Sequence, residues 1–279
     1  MATLAAVLTS PSAEPAIAVF TNVKSQTAVT ITTWSGCRSA LYEQQVLSLS
    51  PTAYVRLQPS GLLEPDVSTS GGSWVWTASP APVVGAITCG SNPGAGVTSA
   101  TVLSSEGTDA VTAEGVPFSY ALWVKATAGA SGVVFSSAAG LASSGPVARA
   151  DRALFLRSDG TVAVALSDGP VTLALTTTTP VTDGQWHLVV VALKINDIGS
   201  ARGTRIYIDG VMAGYESRMR KGLAPATGES WRLGPATLNA QVGTLIPTGT
   251  FSGSVDEVSV WNRTLTDAEV TSLWAARAG

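Results

Sequence analysis

From residue 51 to residue 261 the chain is interrupted every few positions by Gly, Pro, Ser or Asp, and the runs between are short and rich in Val, Leu, Ile, Thr and aromatics. Runs of that length match strands and are too brief for helices. The spacing therefore predicts an all-β chain with sheets packed face to face, rather than strands alternating with helices. The clearest runs are 53–57, 117–125, 132–136, 153–157, 161–167, 171–176, 186–193, 204–208 and 254–261.

Period-two reading separates their faces. In Phe118-Ser-Tyr-Ala-Leu-Trp-Val124, residues Phe118, Tyr120, Leu122 and Val124 share one face, and Ala121 and Trp123 lie on the other. Leu188, Val190 and Ala192 likewise oppose Val189, Val191 and Leu193. Apolar bulk on both faces predicts a central strand covered on both sides. Asp159-Gly160 and Asp209-Gly210 lie between β-rich runs and predict hairpin turns, because Gly tolerates positive φ. Thr266-Asp-Ala-Glu269 is a capping box, followed by Val270, Leu273 and Trp274 on one helical face, so a short helix closes the chain and docks on the sandwich.

Upstream, 16–20 and 28–34 flank the polar segment 22–27 and predict a hairpin or two adjacent strands. Residues 1–48 then form a small β-rich unit near the size at which a lone core fails, roughly 40 residues. Such a unit needs a neighbour, which makes it a docking or assembly piece, with 49–279 as the main domain. The apolar patch 4–8 is too short for a secretory leader and no Lys or Arg precedes it, so none is expected. No stretch reaches the roughly 18 apolar residues of a membrane span, and the mean hydropathy of +0.29 comes from dispersed Ala and Val. The chain is expected to be soluble, at least until assembled.

Composition narrows the chemistry. Charged residues are only 13% and the net charge is -3, with no basic cluster denser than Arg218, Arg220 and Lys221, so a nucleic-acid partner is not expected. One His, His187, leaves little for a zinc site or a catalytic triad, and it reads as a hydrogen-bonded packing residue. Cys37 and Cys89 show no CxxC spacing and read either as one disulfide or as two buried thiols. Asp256 and Glu257 are adjacent, and neighbours on a regular strand point to opposite faces, so they do not flank one glycosidic bond. No enzyme is expected.

Trp74 and Trp76 share one side of an extended segment. They read mainly as core or edge packing, with sugar stacking as the functional alternative. Tyr215, Arg218 and Arg220 form a second, polar candidate surface. Asp66, Asp109, Asp168 and Asn262 are scattered oxygen donors without the dense spacing of a calcium loop, and no cofactor is expected.

Four segments resemble, in order, the signature strands of laminin-G-like or concanavalin A-like jelly-roll domains. They are Phe118 to Val124, Asp183-Gly-Gln-Trp-His-Leu-Val-Val-Val191, Arg205-Ile-Tyr-Ile-Asp-Gly210, and the run from Phe251 through Asp256-Glu257 to Leu265. With Leu49 to Leu57 as a first strand and 66–72 as the loop after it, the resemblance spans 49–279. It implies a lectin-like jelly-roll β-sandwich that in some members holds calcium through Asp and Asn oxygens at the rim, which makes Asp66, Asp109, Asp168 and Asn262 the candidate rim oxygens here. Related glucanases carry Glu-x-Asp-x-x-Glu on one strand, and here Ser254 and Ser259 stand at the outer positions, which again implies no hydrolase. Such domains occur in bacteriophage minor tail proteins, and the opening residues are similar to those of phages of actinobacteria. The excess of Arg (12) over Lys (4) accords with a GC-rich host. The expectation is a non-enzymatic virion protein of the tail or tail tip. Its N-terminal unit would meet other tail proteins in an oligomeric assembly, and its lectin-like domain would meet a host-surface glycan. The alternative is a free extracellular carbohydrate-binding module or adhesin.

Overall fold

The structure is a computed structural model that describes residues 17–21, 28–32, 38–87, 93–98, 100–105, 111, 113–139, 150–168, 171–195, 202–219, 229–236 and 249–277. In chain order the elements are β1 Ile17–Thr21, β2 Ala28–Thr32, α1 Arg38–Ser48, β3 Ala53–Val55, β4 Leu63–Pro65, β5 Ser73–Trp76, β6 Ala81–Val84 and β7 Pro93–Val97. There follow β8 Leu103–Ser104, β9 Phe118–Lys125, β10 Gly132–Ala139, β11 Ala150–Leu156, β12 Thr161–Asp168 and β13 Val171–Pro180. The last are β14 Trp186–Lys194, β15 Gly203–Ile208, β16 Val211–Glu216, β17 Glu229–Leu233, β18 Gly253–Trp261 and α2 Asp267–Ala276. Each run expected to be a strand contains one, although the strand expected over 53–57 stops at Val55, and residues 16, 33 and 34 lie outside the described residues. No described helix is long and apolar enough to cross a membrane.

Two antiparallel sheets form the sandwich. One runs β13-β12-β11-β10-β17-β8-β5-β4 and the other β16-β15-β14-β9-β18-β7-β6, with β3 also paired to β18. β1 and β2 pair with each other in a separate two-stranded sheet, as expected. Between the large sheets, Phe118, Tyr120, Leu122 and Val124 of β9 meet Trp74, Trp76, Phe135 and Trp231 of the opposing sheet in one buried cluster. Phe135 stacks on Trp231 with ring centroids 5.4 Å apart, and Tyr120 meets Phe135 edge-on at 5.1 Å. Such pairs add to the roughly 1.5–3 kcal/mol that burying each large side chain contributes.

The second apolar face of β9 and β14 has its own cover. Ala121, Trp123, Leu188, Val190, Ala192, Tyr207 and Trp261 pack beneath Tyr42 and Val46 of α1 and Val270 and Leu273 of α2. The two helices touch each other, with Gln45 Nε2 donating to Ser272 Oγ at 3.1 Å. The expected capping box is present: Thr266 Oγ1 accepts from Glu269 N at 3.2 Å, and Glu269 Oε2 accepts from Thr266 N at 2.8 Å.

The segment 1–48, read as a small β-rich unit, also contains helix α1. Tyr42, Val46 and Leu49 recur at helical spacing, and Tyr42 and Val46 are fully buried against the sandwich. The boundary expected after residue 48 therefore falls between a helix and the sheet it covers. That leaves the β1–β2 hairpin as the N-terminal piece outside the sandwich layers.

Both expected turns are in place. Asp209 (φ +53°) and Gly210 (φ +81°) join β15 to β16, whose first pair is Ile208 with Val211, as a two-residue hairpin demands. Gly160 (φ +81°) turns β11 into β12.

Candidate functional site

Four neighbouring strands, β9, β18, β7 and β6, end together at one rim, where Lys125 is opposite Ser254, Ser254 opposite Gly96 and Gly96 opposite Ala81. Ala95 and Val97 point into the sandwich, so Gly96 between them faces outward and offers no side chain. The outer face is thus bare along this row, whereas Trp123 and Trp261 on the same sheet are roofed by the helices. A groove of about 470 Å³ results, walled by Ser79, Thr98, Lys125, Thr127 and Ser252. This lies within the size range usual for small-ligand sites.

The groove's polar groups divide in two. Thr98 and Thr101 are committed to each other: Thr98 N donates to Thr101 Oγ1 at 2.7 Å, and Thr101 Oγ1 donates to Thr98 O at 3.2 Å. The side chains of Ser79, Lys125, Thr127 and Ser252 are exposed and make no hydrogen bond or ion pair with a described residue. Three hydroxyls and one ammonium are therefore available to a ligand. Among the described residues no aromatic ring lines the groove, so these residues can hold a polyhydroxylated molecule by hydrogen bonding and not by stacking.

The residues singled out from sequence lie elsewhere. Trp74 and Trp76 sit in the core at 0% and 1% exposure, which removes them as a sugar platform. Trp74 stacks near Phe135, and Trp76 Nε1 donates to Glu64 Oε1 at 3.0 Å. Glu64, itself buried, also accepts from Gln58 N, and burial pushes its carboxyl above the usual range. Their side of the extended segment proves to be the inner one. Tyr215 is partly exposed, with Arg205 stacked on its ring at 5.3 Å and its hydroxyl donating to Arg202 O. Arg218 is held by Glu216 through Nε at 3.0 Å and Nη2 at 2.9 Å, a self-satisfied fork. Arg220 lies outside the described residues, as do Asp109, Cys37 and Cys89.

Asp66, expected as a rim oxygen, is buried and fully used. Its Oδ1 accepts from Tyr54 N and Ser68 N, and its Oδ2 from Ser70 Oγ, which fastens the loop after β4. Asn262 is exposed just after β18, and Asp168 ends β12 with its side chain outside the described set. Among the described residues no three His, Cys, Asp or Glu side chains come together as a metal site.

Two polar features escaped the sequence. Adjacent strand residues were expected on opposite faces, yet Asp256 and Glu257 lie on one face. The pairing of β18 with β9 shifts register between Asp256 and Ser259, and Glu257 takes φ +54°, so the bulge turns both carboxylates beneath α1. Asp256 Oδ2 accepts from Ala86 N at 2.8 Å, Tyr54 donates its hydroxyl to Glu257 Oε2, and Arg56 Nε lies 3.5 Å from Glu257 Oε1. Both carboxylates are fully buried; burial, then the neighbouring Glu257, pushes Asp256 well above the carboxylate range. His187 is clamped between two carboxylates, Asp209 Oδ2 at 2.8 Å from Nδ1 and Asp183 Oδ1 at 3.0 Å from Nε2. The bond to Asp209 is the main cause of its raised pKa.

A family model described as the concanavalin A-like lectin/glucanases superfamily matches residues 96–271. No curated protein sequence matches the chain. Among solved structures, domain 4 of a GH43 extracellular arabinanase from Geobacillus stearothermophilus, in complex with arabinotriose, is similar with a TM-score of 0.58 at 18% identity, covering 80% of this chain and 98% of that one. The binding domain of Paraclostridial mosquitocidal protein 1 gives a TM-score of 0.58 at 10% identity, over 82% of this chain and 52% of that one. The receptor binding domain of botulinum neurotoxin mosaic serotype C/D gives 0.54 at 11%, over 82% and 51%. The chain thus spans about half the length of the two toxin domains. At these identities the likeness concerns the fold.

Proposed function

Because the chain belongs to the concanavalin A-like lectin/glucanases superfamily, we propose that it is a non-enzymatic recognition module whose rim groove holds a saccharide. The observation that carries this reading is the convergence of uncommitted Ser79, Thr127, Ser252 and Lys125 side chains on an open groove. Polar side chains that meet at a concave surface without a partner among the described residues are what a ligand would use. The arabinotriose in complex with the arabinanase domain and the receptor binding of the botulinum domain, two proteins of the same fold, support this reading.

Catalysis is left out for a physical reason. General acid and base roles need carboxylates or a His that reach substrate. Asp256 and Glu257 lie at 0% exposure beneath α1, and His187 is spent on Asp183 and Asp209. The reading includes no metal or other cofactor.

The finer part of the proposal puts the module on a virion, as a minor tail or tail-tip protein that meets a host-surface glycan. The β1–β2 hairpin, paired only within itself among the described residues, supports a docking role toward other tail proteins. A glycan array on the purified chain, with a reducing-end assay on the glycans bound, tests the first part. Specific binding without product release is expected, and release of reducing ends would overturn it. Removal of residues 1–37 tests the second: particles should then lack the protein, while glycan binding persists. Normal incorporation would favour a free extracellular module or adhesin.

A further inference from the structure

We propose that the ligand of the rim groove is an anionic glycan, read by Lys125 through a carboxylate or phosphodiester on the sugar chain. This rests on the assignment of the groove to saccharides. Among the described residues Lys125 is the one charged side chain in its lining, and it ends β9 exposed. Its state contrasts with that of other cations: Arg56 is tied to Glu43, Arg157 to Asp159, Arg218 to Glu216 and Arg263 to Glu269. In a chain with an excess of acidic groups, a lysine without a carboxylate partner among the described residues is available to an outside anion.

The layout gives the anion a place in a longer ligand. From Lys125 on β9 to Ala81 on β6 there are three strand spacings, roughly 14 Å, long enough for more than one sugar ring. Lys125 stands at one end, and Ser79 marks the other, with Ser252 and Thr127 flanking the lysine end. A charge at one ring and hydroxyls along the rest match an oligosaccharide that carries acidic groups at intervals. The net charge of -3 does not prevent this, since unlike the local contact it is screened beyond roughly 8 Å at physiological salt.

The test uses the full chain and three defined polymers: polygalacturonate for the carboxylate, a poly(glycerol phosphate) for the phosphodiester, and dextran as the neutral control. Binding to at least one acidic polymer and not to dextran is expected, falling as salt rises. K125Q should weaken it about tenfold or more, and K125E should abolish it, as fits a hydrogen bond to a charged group. K125R should retain it, and unchanged melting temperatures should show that the variants fold. S252Y, which fills the groove from an exposed wall position, should block binding as well. Equal binding of dextran, or acidic binding indifferent to K125E or S252Y, overturns the charge assignment and leaves the saccharide reading standing. Binding to no polymer here and no glycan on the array overturns both.

Discussion

Gly184 and Gly210 share a backbone conformation, φ +81° at each, but stand in different surroundings. A Cβ on Gly184 would meet open space, whereas one on Gly210 would lie 2.9 Å from Trp274 Cβ, where α2 settles on the β15–β16 hairpin. Gly184→Ala should therefore cost only the left-handed strain, about 1 kcal/mol. Gly210→Ala adds an overlap with a ring that is itself stacked on Trp123, and should cost about 3 kcal/mol. Urea denaturation of the two variants checks the difference, and equal losses would mean that α2 moves aside without cost. The turn at Asp209-Gly210 was legible because Asp-Gly suits the type I′ hairpin turn, which needs positive φ at both central positions. The collision was not, because Trp274 is distant in sequence. The same distinction governs Trp74 and Trp76: alternation put them on one side, but which side faced the core depended on partners such as Phe135 and Glu64. The groove was illegible for a simpler reason, since its floor consists of what Gly96 and Ala81 lack.

Among the elements, the strands were readable because each bears its own period and its own turn signals. Helix α1 also had a signal, Tyr42, Val46 and Leu49 at spacings of four and three, but it follows a β hairpin and was absorbed into it. The carboxylates on β18 were misplaced because a bulge breaks the alternation that assigns faces, and nothing in Ser-Val-Asp-Glu-Val announces one. The packing of α1 yields a prediction about where the chain divides. Cutting before Arg38 removes no residue of the helix-covered cluster, so a chain beginning there should melt at the wild-type temperature. Cutting after Leu49 strips the roof from Trp123, Trp261 and Tyr54 and exposes both buried carboxylates. That chain should bind a hydrophobic dye and aggregate. Tyr42→Ala, which empties one site under the roof, should cost roughly 3 kcal/mol in the full chain. A loss below about 1 kcal/mol would show that α1 is a loose attachment.

For the molecule as a whole, the titrating groups set a pH preference whose sign can be worked out. His187 holds its proton more tightly when folded, chiefly through Asp209, so its contribution is complete below about pH 6.5 and is lost as pH rises through the folded value. Asp256 acts in the same sense. Burial, then Glu257, keeps its folded pKa raised, so folding binds a proton that the unfolded chain has released above about pH 4, and stability falls as pH climbs through that interval. Opposing them are exposed carboxylates held below their usual range: Glu216 at about 2 by Arg218, Asp183 by Gln185 N and then His187, and Asp159 by Thr161. Their contributions are present near neutrality and disappear as pH falls below about 4.5. They are exposed to screening, so the buried Asp256 and the partly buried His187 should dominate. Thermal melting should accordingly peak on the acid side of neutrality, between about pH 4.5 and 6.5, and decline toward pH 8. His187→Gln should flatten the decline above pH 6.5. Asp256→Asn, whose amide oxygen can still accept from Ala86 N, should raise the melting temperature at pH 8 and leave it little changed at pH 4.5. If Asp256→Asn destabilises equally at both pH values, the carboxyl is needed for its shape and not for its proton. The alkaline decline would then have to come from His187 alone.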